Sequence, residues 1–391
     1  MSATGVERLT ALDVLRGLAV AGMILVVSPG DWGMAWTWLQ HAEWDGWRVA
    51  DMVFPTFLFS VGVSVALAFP RDVDGAFWMR VGRRVLLLIA LGLATEATYN
   101  LMVAMGSGGP GQGDLGHLRI PGVLQRIGLC YGLATALVVM TGQWAGRRVS
   151  LRPGRVGTVI AAILIGYWLL LVFVGDGRTD PEGNLGAVID RALFTPAHLW
   201  PLGSVTWGGP VVYDPEGLLS SLPATANVLF GVLAGHVCRA RAARATIFLA
   251  AGGLVLFIAG MALDPVLVVN KRIWTSSFAL LSAGVSAVML AALIALPRHR
   301  IIDGVMSPFR VLGGNAILAF VISTLLGRLY GFPFLPTADA AQRTPQGWLN
   351  ARMLSLLGEP HWASFACAVL MVAVMTLILV PLHRRSIHVR L

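Results

Sequence analysis

Ten stretches of about 20 mostly apolar residues divide the chain, near 9–28, 50–69, 81–102, 121–141, 156–174, 218–238, 245–263, 273–296, 309–327 and 361–382. Each has the length a helix needs to cross a hydrocarbon core of about 30 Å. Backbone polar groups find no water there, so such segments must be helices packed into one bundle. The expected fold is therefore all-α: a polytopic integral membrane helix bundle of about ten transmembrane helices, with 1–391 as a single domain. The first run holds Asp13 and Arg16 and is followed by no small-residue cleavage site, so it reads as a retained span.

Composition narrows the function classes. Charged residues make up 13% of the chain and hydrophobic ones 56%, against about 25% charged in soluble domains. That excludes a cytosolic enzyme, a disordered chain and a disulfide-stapled secreted domain. The net charge of +9 raises nucleic acid as a partner, but the basic residues sit in short loops between apolar runs, which removes it. Of the 29 basic residues, 28 are Arg and only Lys271 is Lys. Cys130, Cys238 and Cys367 have no metal-ligand spacing, so no metal site is expected.

Arginine placement sets the orientation. Alternate loops carry Arg71, Arg80, Arg83 and Arg84; Arg147, Arg148, Arg152 and Arg155; Arg239, Arg241 and Arg244; and Arg298, Arg300 and Arg310. Arg8, Arg384, Arg385 and Arg390 lie on the same side. Both termini are thus expected in the cytoplasm, and the chain in the cell (inner) membrane. The loops 29–49, 103–120, 175–217, 264–272 and 328–360 fall outside and are rich in Gly, Pro and Trp. No internal repeat marks an inverted-repeat transporter. Small residues at Gly82–Gly92, Gly157–Gly166 and Gly313–Gly314 are expected to admit close helix approach.

The densest polar cluster runs from Trp38 through Gln40, His41, Glu43, Trp44, Asp45 and Trp47 to Asp51. A histidine beside a carboxylate at a membrane surface can serve as a general base near neutral pH, or simply hydrogen-bond within a loop. Trp32, Trp36, Trp38, Trp44 and Trp47 fit an interfacial aromatic belt and equally a stacking surface for a sugar ring. Asp51, at the start of a span, needs a partner, with His41, Arg119 and Arg126 as candidates. Asp13 and Arg16 share a helix face and are expected to pair. Glu96 is the loneliest acid. Arg126, deep in the fourth span, must face a cavity or an acid. Asn270, Lys271 and Trp274 enter the eighth span from outside, and Asn315 lies on the ninth. Turn chemistry accounts for Tyr213-Asp214-Pro215-Glu216-Gly217 without a function. Phosphate-loop, nucleophile-elbow and zinc-helix motifs are absent.

Several segments occur together: Leu12-Asp13-Val14-Leu15-Arg16-Gly17-Leu18, His41-Ala42-Glu43-Trp44-Asp45-Gly46, Asp51-Met52-Val53-Phe54-Pro55-Thr56-Phe57, and Arg119 through Arg126. With Tyr213–Gly217 and Asn270-Lys271-Arg272-Ile273-Trp274, they resemble the heparan-alpha-glucosaminide N-acetyltransferase family, in its bacterial form that comprises the catalytic bundle alone. The resemblance implies transfer of acetyl from cytoplasmic acetyl-CoA to the amino group of a glucosamine across the membrane, with the active-site histidine at His41. Asp51 or Asp45 would orient the imidazole. A position often filled by Asn in that family is Val27 here, beside Ser28.

On this reading Trp44, Asp45, Arg119, Arg126, Asn270 and Lys271 are the candidate acceptor contacts, and Arg16 and Asn315 the candidate donor contacts. The CoA phosphates would sit at the Arg-rich face with the pantetheine arm in a cavity between helices. That arm is roughly half as long as the hydrocarbon core of about 30 Å is thick, so the cavity must be deep. Direct transfer and an acetyl-histidine relay both fit, and a homo-oligomer is left open. An amino-sugar permease without chemistry, or O-acylation of an envelope polysaccharide, would use the same spans.

Overall fold

The computed structural model describes residues 3–106, 113–206, 208–240, 244–297, 299–337 and 339–389, with residues 3–9 and Ala240 by their backbone alone. Arg241, Arg298 and Arg390, and the side chain of Arg8, used above for orientation, lie outside the described residues.

The chain is a bundle of helices: α1 (Ala3–Val27), α2 (Val53–Ala68), α3 (Gly75–Ala104), α4 (Val123–Thr141), α5 (Pro153–Leu169, prolonged by a π turn at Leu170–Val174), α6 (Leu185–Phe194), α7 (Ser221–Ala240), α8 (Ala245–Ala262), α9 (Ser276–Ala295), α10 (Arg300–Gly314), α11 (Ala316–Tyr330), α12 (Pro345–Leu357) and α13 (Pro360–Arg384). Among the described residues, nine helical segments are long and apolar enough to cross a membrane, and a bent pair adds a tenth. Their order and limits follow the apolar runs.

The expected straight span over 309–327 is corrected by the structure. α10 and α11 meet at 86° around Asn315, whose backbone leaves the helical region at φ −131° and ψ 46°. Gly313, Gly314 and Asn315 hold a helix weakly. The Asn315 side chain instead donates to Ile387 O at 3.0 Å and accepts from Val389 N at 2.8 Å, pinning the chain's last described residues. α10 carries Arg300, Asp303 and Arg310 among Ile301, Val305 and Phe309, the two-faced composition of a helix lying at an interface.

α2 and α7 form the centre, with 78% of each span buried, whereas α3, α8 and α13 bury 22% and turn most of their surface outward. The centre is built on glycine. A Cβ on Gly62 would lie 1.8 Å from Val228 O, and one on Gly231 2.0 Å from Phe59 O, so α2 and α7 touch backbone to backbone. Gly17 meets Phe309 O and Gly313 meets Asp13 O in the same way where α1 crosses α10. Of the glycines singled out above, Gly313 and Gly92 make close contacts, but Gly82, Gly157 and Gly166 face open space within 4 Å.

A small antiparallel sheet joins two inter-helix loops. β1 (Arg71–Asp72), β2 (Gln143–Ala145) and β3 (Arg148–Ser150) lie in the order β1-β3-β2, with Arg71 opposite Val149 and Asp72 opposite Arg148. It holds the α2–α3 and α4–α5 loops together at the Arg-rich end. The opposite end carries His41 and the long loops, in which α6 and α12 are capped by Asn184 and Thr344.

Candidate active site

His41 is placed by the turn that begins α2. Residues Val49–Met52 form a single 3-10 turn, and Asp51 within it is 1% exposed. Its Oδ2 accepts from Arg48 N at 2.8 Å and Ala42 N at 3.1 Å, and its Oδ1 lies 2.8 Å from His41 Nδ1. The Arg48 guanidinium closes the loop on His41 O at 3.0 Å. A carboxylate held this way accepts the Nδ1 proton and leaves Nε2 as the basic nitrogen. Of the candidate partners for Asp51, His41 is therefore correct. Arg119 and Arg126 do not reach it, and the second partner is Lys271, at 3.4 Å.

Lys271 arrives from the loop before α9. Asn270 is fully buried; its Oδ1 accepts from Ile273 N at 3.1 Å and its amide donates to Asp45 Oδ1 at 3.0 Å. Gly46, at φ +85°, donates its N–H to Val269 O at 2.7 Å and bridges to Asn270. Glycine is needed there because other residues avoid that conformation. Trp274 Nε1 donates to Asn227 Oδ1 at 2.9 Å and anchors the far side of the loop. The result sets Lys271 Nζ 3.0 Å from His41 Nδ1 and 3.3 Å from Nε2. Burial, and then the Lys271 ammonium, hold the imidazole below its ordinary titration range, against the pull of Asp51. Burial also lowers Lys271, with Asp51 opposing it.

His41 and Lys271 open into a cavity of about 530 Å³ between α1, α2, α3 and α11. Its walls are largely apolar (Met23, Val26, Val27, Val53, Phe54 and Phe320), with Glu96, Glu216 and Arg328 on the polar side. Val27 lies on this wall, while its neighbour Ser28 is buried and is not among the lining residues. A second cavity of about 750 Å³ continues along the same helices toward the Arg-rich end, lined by Arg16, Arg71, Arg80, Arg83, Arg84 and Asn315 among others. On α2 the change falls between Phe54 and Phe57, on α4 between Val123 and Ile127, and on α11 between Ile317 and Phe320. About one helical turn, ~5 Å, therefore separates the two cavities on those helices.

The structure brings Arg16 and Asn315 together on the second cavity. Arg16 pairs with Asp13 at 3.2 Å, as their spacing predicts, and hydrogen-bonds Ser64. Arg84 lies over the Tyr131 ring at 4.6 Å, and its Nε is buried with no hydrogen-bond partner among the described residues. An unpartnered guanidinium donor in a cavity with four further arginines fits a polyphosphate such as that of CoA.

The remaining candidates stand elsewhere. Trp44 donates to Thr179 O at 2.8 Å and meets Tyr213 edge-on, and Asp45 is tied to Asn270; none of the three lines the first cavity. Of the five loop tryptophans, Trp32 lines that cavity, Trp36 and Trp38 pack with Phe365, and Trp47 packs on Phe257. Arg126 lines neither of these cavities and bonds no acid among the described residues: it donates to Gly217 O at 2.9 Å and Ser220 Oγ at 2.5 Å, under the Trp274 ring.

Three acids were misread or missed. Arg119 grips Asp214 with bonds of 2.6 and 2.8 Å and Glu216 with one of 2.5 Å, so the Asp-Pro-Glu segment is more than a turn. Burial works against the Arg119 charge, but these carboxylates outweigh it and raise its pKa; burial likewise works against the Glu216 charge, and Arg119 keeps that carboxyl below its ordinary range. Glu96 is not alone: it lies 3.9 Å from Arg119 and 3.4 Å from Arg328. Arg328 carried no signal in the sequence beyond its place near a helix end.

Comparison with known proteins finds a likeness to one family over part of the chain. Residues 8–172 match the family model for heparan-alpha-glucosaminide N-acetyltransferase, catalytic. The heparan-alpha-glucosaminide N-acetyltransferase of Homo sapiens is 29% identical over 363 residues, covering 80% of this chain and 52% of the human protein. That of Mus musculus is 26% identical over 377 residues, covering 83% and 55%. The chain thus spans about half the length of the curated relatives it matches. The resemblance read from the motifs is borne out by both comparisons.

Proposed function

We propose, from the chain's likeness to the heparan-alpha-glucosaminide N-acetyltransferases, that it is a transmembrane acetyltransferase. It moves acetyl from cytoplasmic acetyl-CoA to the amino group of a glucosamine-type sugar on the other side of the membrane. The observation that carries the reading is His41, half-buried on the wall of one cavity and paired with the buried Asp51, with an arginine-lined cavity stacked beneath it.

In this reading Arg84, Arg80, Arg83 and Arg16 hold the donor's phosphates, and the tract along α2, α4 and α11 takes its arm. Asp51 fixes the imidazole so that Nε2 faces the cavity, and His41 removes the proton of the attacking amine. Asp45, Asn270 and Trp44 position the loops that carry His41 and Lys271. Arg119, Asp214 and Glu216 form the rigid rim on which the acceptor rests.

The test is purified protein with acetyl-CoA and glucosamine, following free thiol and acetylated sugar. Thiol release that requires the amine and is lost in His41→Ala supports direct transfer. Thiol release without amine indicates an acetyl-histidine relay, and full turnover by His41→Ala contradicts the reading. An amino-sugar permease draws on one observation, the helix broken at Asn315; that break lines the arginine cavity and not the one at His41. The same assay with hydroxyl acceptors separates O-acylation.

A further inference from the structure

We propose that Lys271 is the general acid of this site, giving its proton to the departing thiolate and regaining one from His41. The inference rests on the acetyltransferase reading and deepens it.

Apart from its eight histidines, every other basic side chain in this protein is arginine, which does not release its proton. The single lysine stands where its Nζ reaches both imidazole nitrogens, at 3.0 and 3.3 Å, and lines the same cavity as His41. It also faces Asp51. That carboxylate already receives three shorter contacts, from His41 Nδ1, Arg48 N and Ala42 N, and Lys271 stands outside them at 3.4 Å. A buried loop fixed by Asn270 and Trp274 holds the lysine, so its place does not depend on a flexible surface stem.

The chemistry balances with these two groups. The amine lone pair forms the C–N bond at the thioester carbon, and the C–S bond breaks with its electron pair going to sulfur. His41 Nε2 takes the amine's proton and Lys271 gives one to the sulfur. The imidazolium then returns its Nε2 proton to the neutral Lys271 amine, which stands 3.3 Å away. The net change is amine and thioester to amide and thiol, with no proton drawn from bulk water. Burial brings the ammonium down from its ordinary value, which eases release of its proton. The charged groups facing Lys271 are Asp51 from the α2 turn, Glu216 from the loop before α7, and its neighbour Arg272.

The test compares two donors in wild type, Lys271→Met and Lys271→Arg. Acetyl-CoA leaves as a basic thiolate that needs a proton; an S-(4-nitrophenyl) thioacetate leaves as a stable thiolate that does not. Lys271→Met should lose about 10²-fold or more with acetyl-CoA and stay within a few-fold of wild type with the aryl thioester, measured above the His41→Ala background. Lys271→Arg keeps the charge but not the transferable proton, so its acetyl-CoA turnover should fall as far. That arm uses acetyl-CoA alone and decides independently of the aryl donor. Equal losses with both donors, or rescue of acetyl-CoA turnover by Arg, would overturn the proposal in favour of a positioning or purely electrostatic role. A wild type inert toward acetyl-CoA with every amine would instead overturn the acetyltransferase reading itself.

Discussion

His41 Nδ1 lies 2.8 Å from a buried Asp51 oxygen, and the same carboxylate caps the turn that launches α2. The imidazole and the helix are therefore oriented by one side chain. Asp51→Asn keeps the shape but leaves an amide that can face His41 with N–H. The imidazole then turns or changes tautomer, and turnover should drop by about 10²-fold or more. Rates measured beside a circular dichroism spectrum distinguish this from unfolding.

The pH profile follows from the same contacts. Burial and Lys271 place the His41 titration below 6.5, and in the proposed mechanism the neutral imidazole is the active form. Turnover should therefore rise with pH through a limb below 6.5 and hold at neutral pH. Removing the ammonium in Lys271→Met should move that limb toward alkaline pH. The measurement is kcat/KM against pH; a limb that does not move would show that Lys271 exerts no field on His41.

Arg119 with Asp214 and Glu216 makes a buried cluster. Arg119→Met strands two carboxylates away from water, a change that costs about 3–5 kcal/mol. Thermal unfolding in detergent should show the loss. Arg119→Lys should recover part of it, since an ammonium cannot reproduce the two-pronged grip on Asp214.

At the bundle centre Gly62 has no room for a methyl group. Gly62→Ala must part α2 from α7 and should destabilise by about 1–3 kcal/mol. Gly157→Ala, where nothing lies within 4 Å, should be neutral or mildly stabilising. Equal melting temperatures for the two variants would contradict the packing described.

Hydropathy made the spans legible because lipid imposes length and composition on every crossing helix. It passed over the bend at Asn315, since α10 and α11 carry apolar residues up to and beyond the break. The His41–Asp51 pair was legible because ten residues of one loop and one turn connect them. Lys271 was visible as a motif member but not as a neighbour of His41, 230 residues away; only the packing of two loops through Gly46 and Asn270 joins them. Asp214 and Glu216 hid behind their own turn-forming neighbours, and Glu96 looked solitary because both of its arginines come from distant segments.

Arg84, buried at Nε with no hydrogen-bond partner among the described residues, offers the clearest handle on the donor. Arg84→Met removes a charge-assisted bond worth about 1.5–3 kcal/mol, so the KM for acetyl-CoA should rise roughly 10- to 100-fold while kcat holds. Steady-state kinetics with varied donor check it, and a change in kcat alone would argue against a phosphate contact.

The central claim is that one site takes its donor and its acceptor from opposite faces. The direct measurement is proteoliposomes with radiolabelled acetyl-CoA sealed inside and glucosamine outside. The account predicts labelled N-acetylglucosamine in the outer solution, absent with His41→Ala. Label that appears only when donor and acceptor share a compartment, or unmodified glucosamine entering the vesicles, would contradict it.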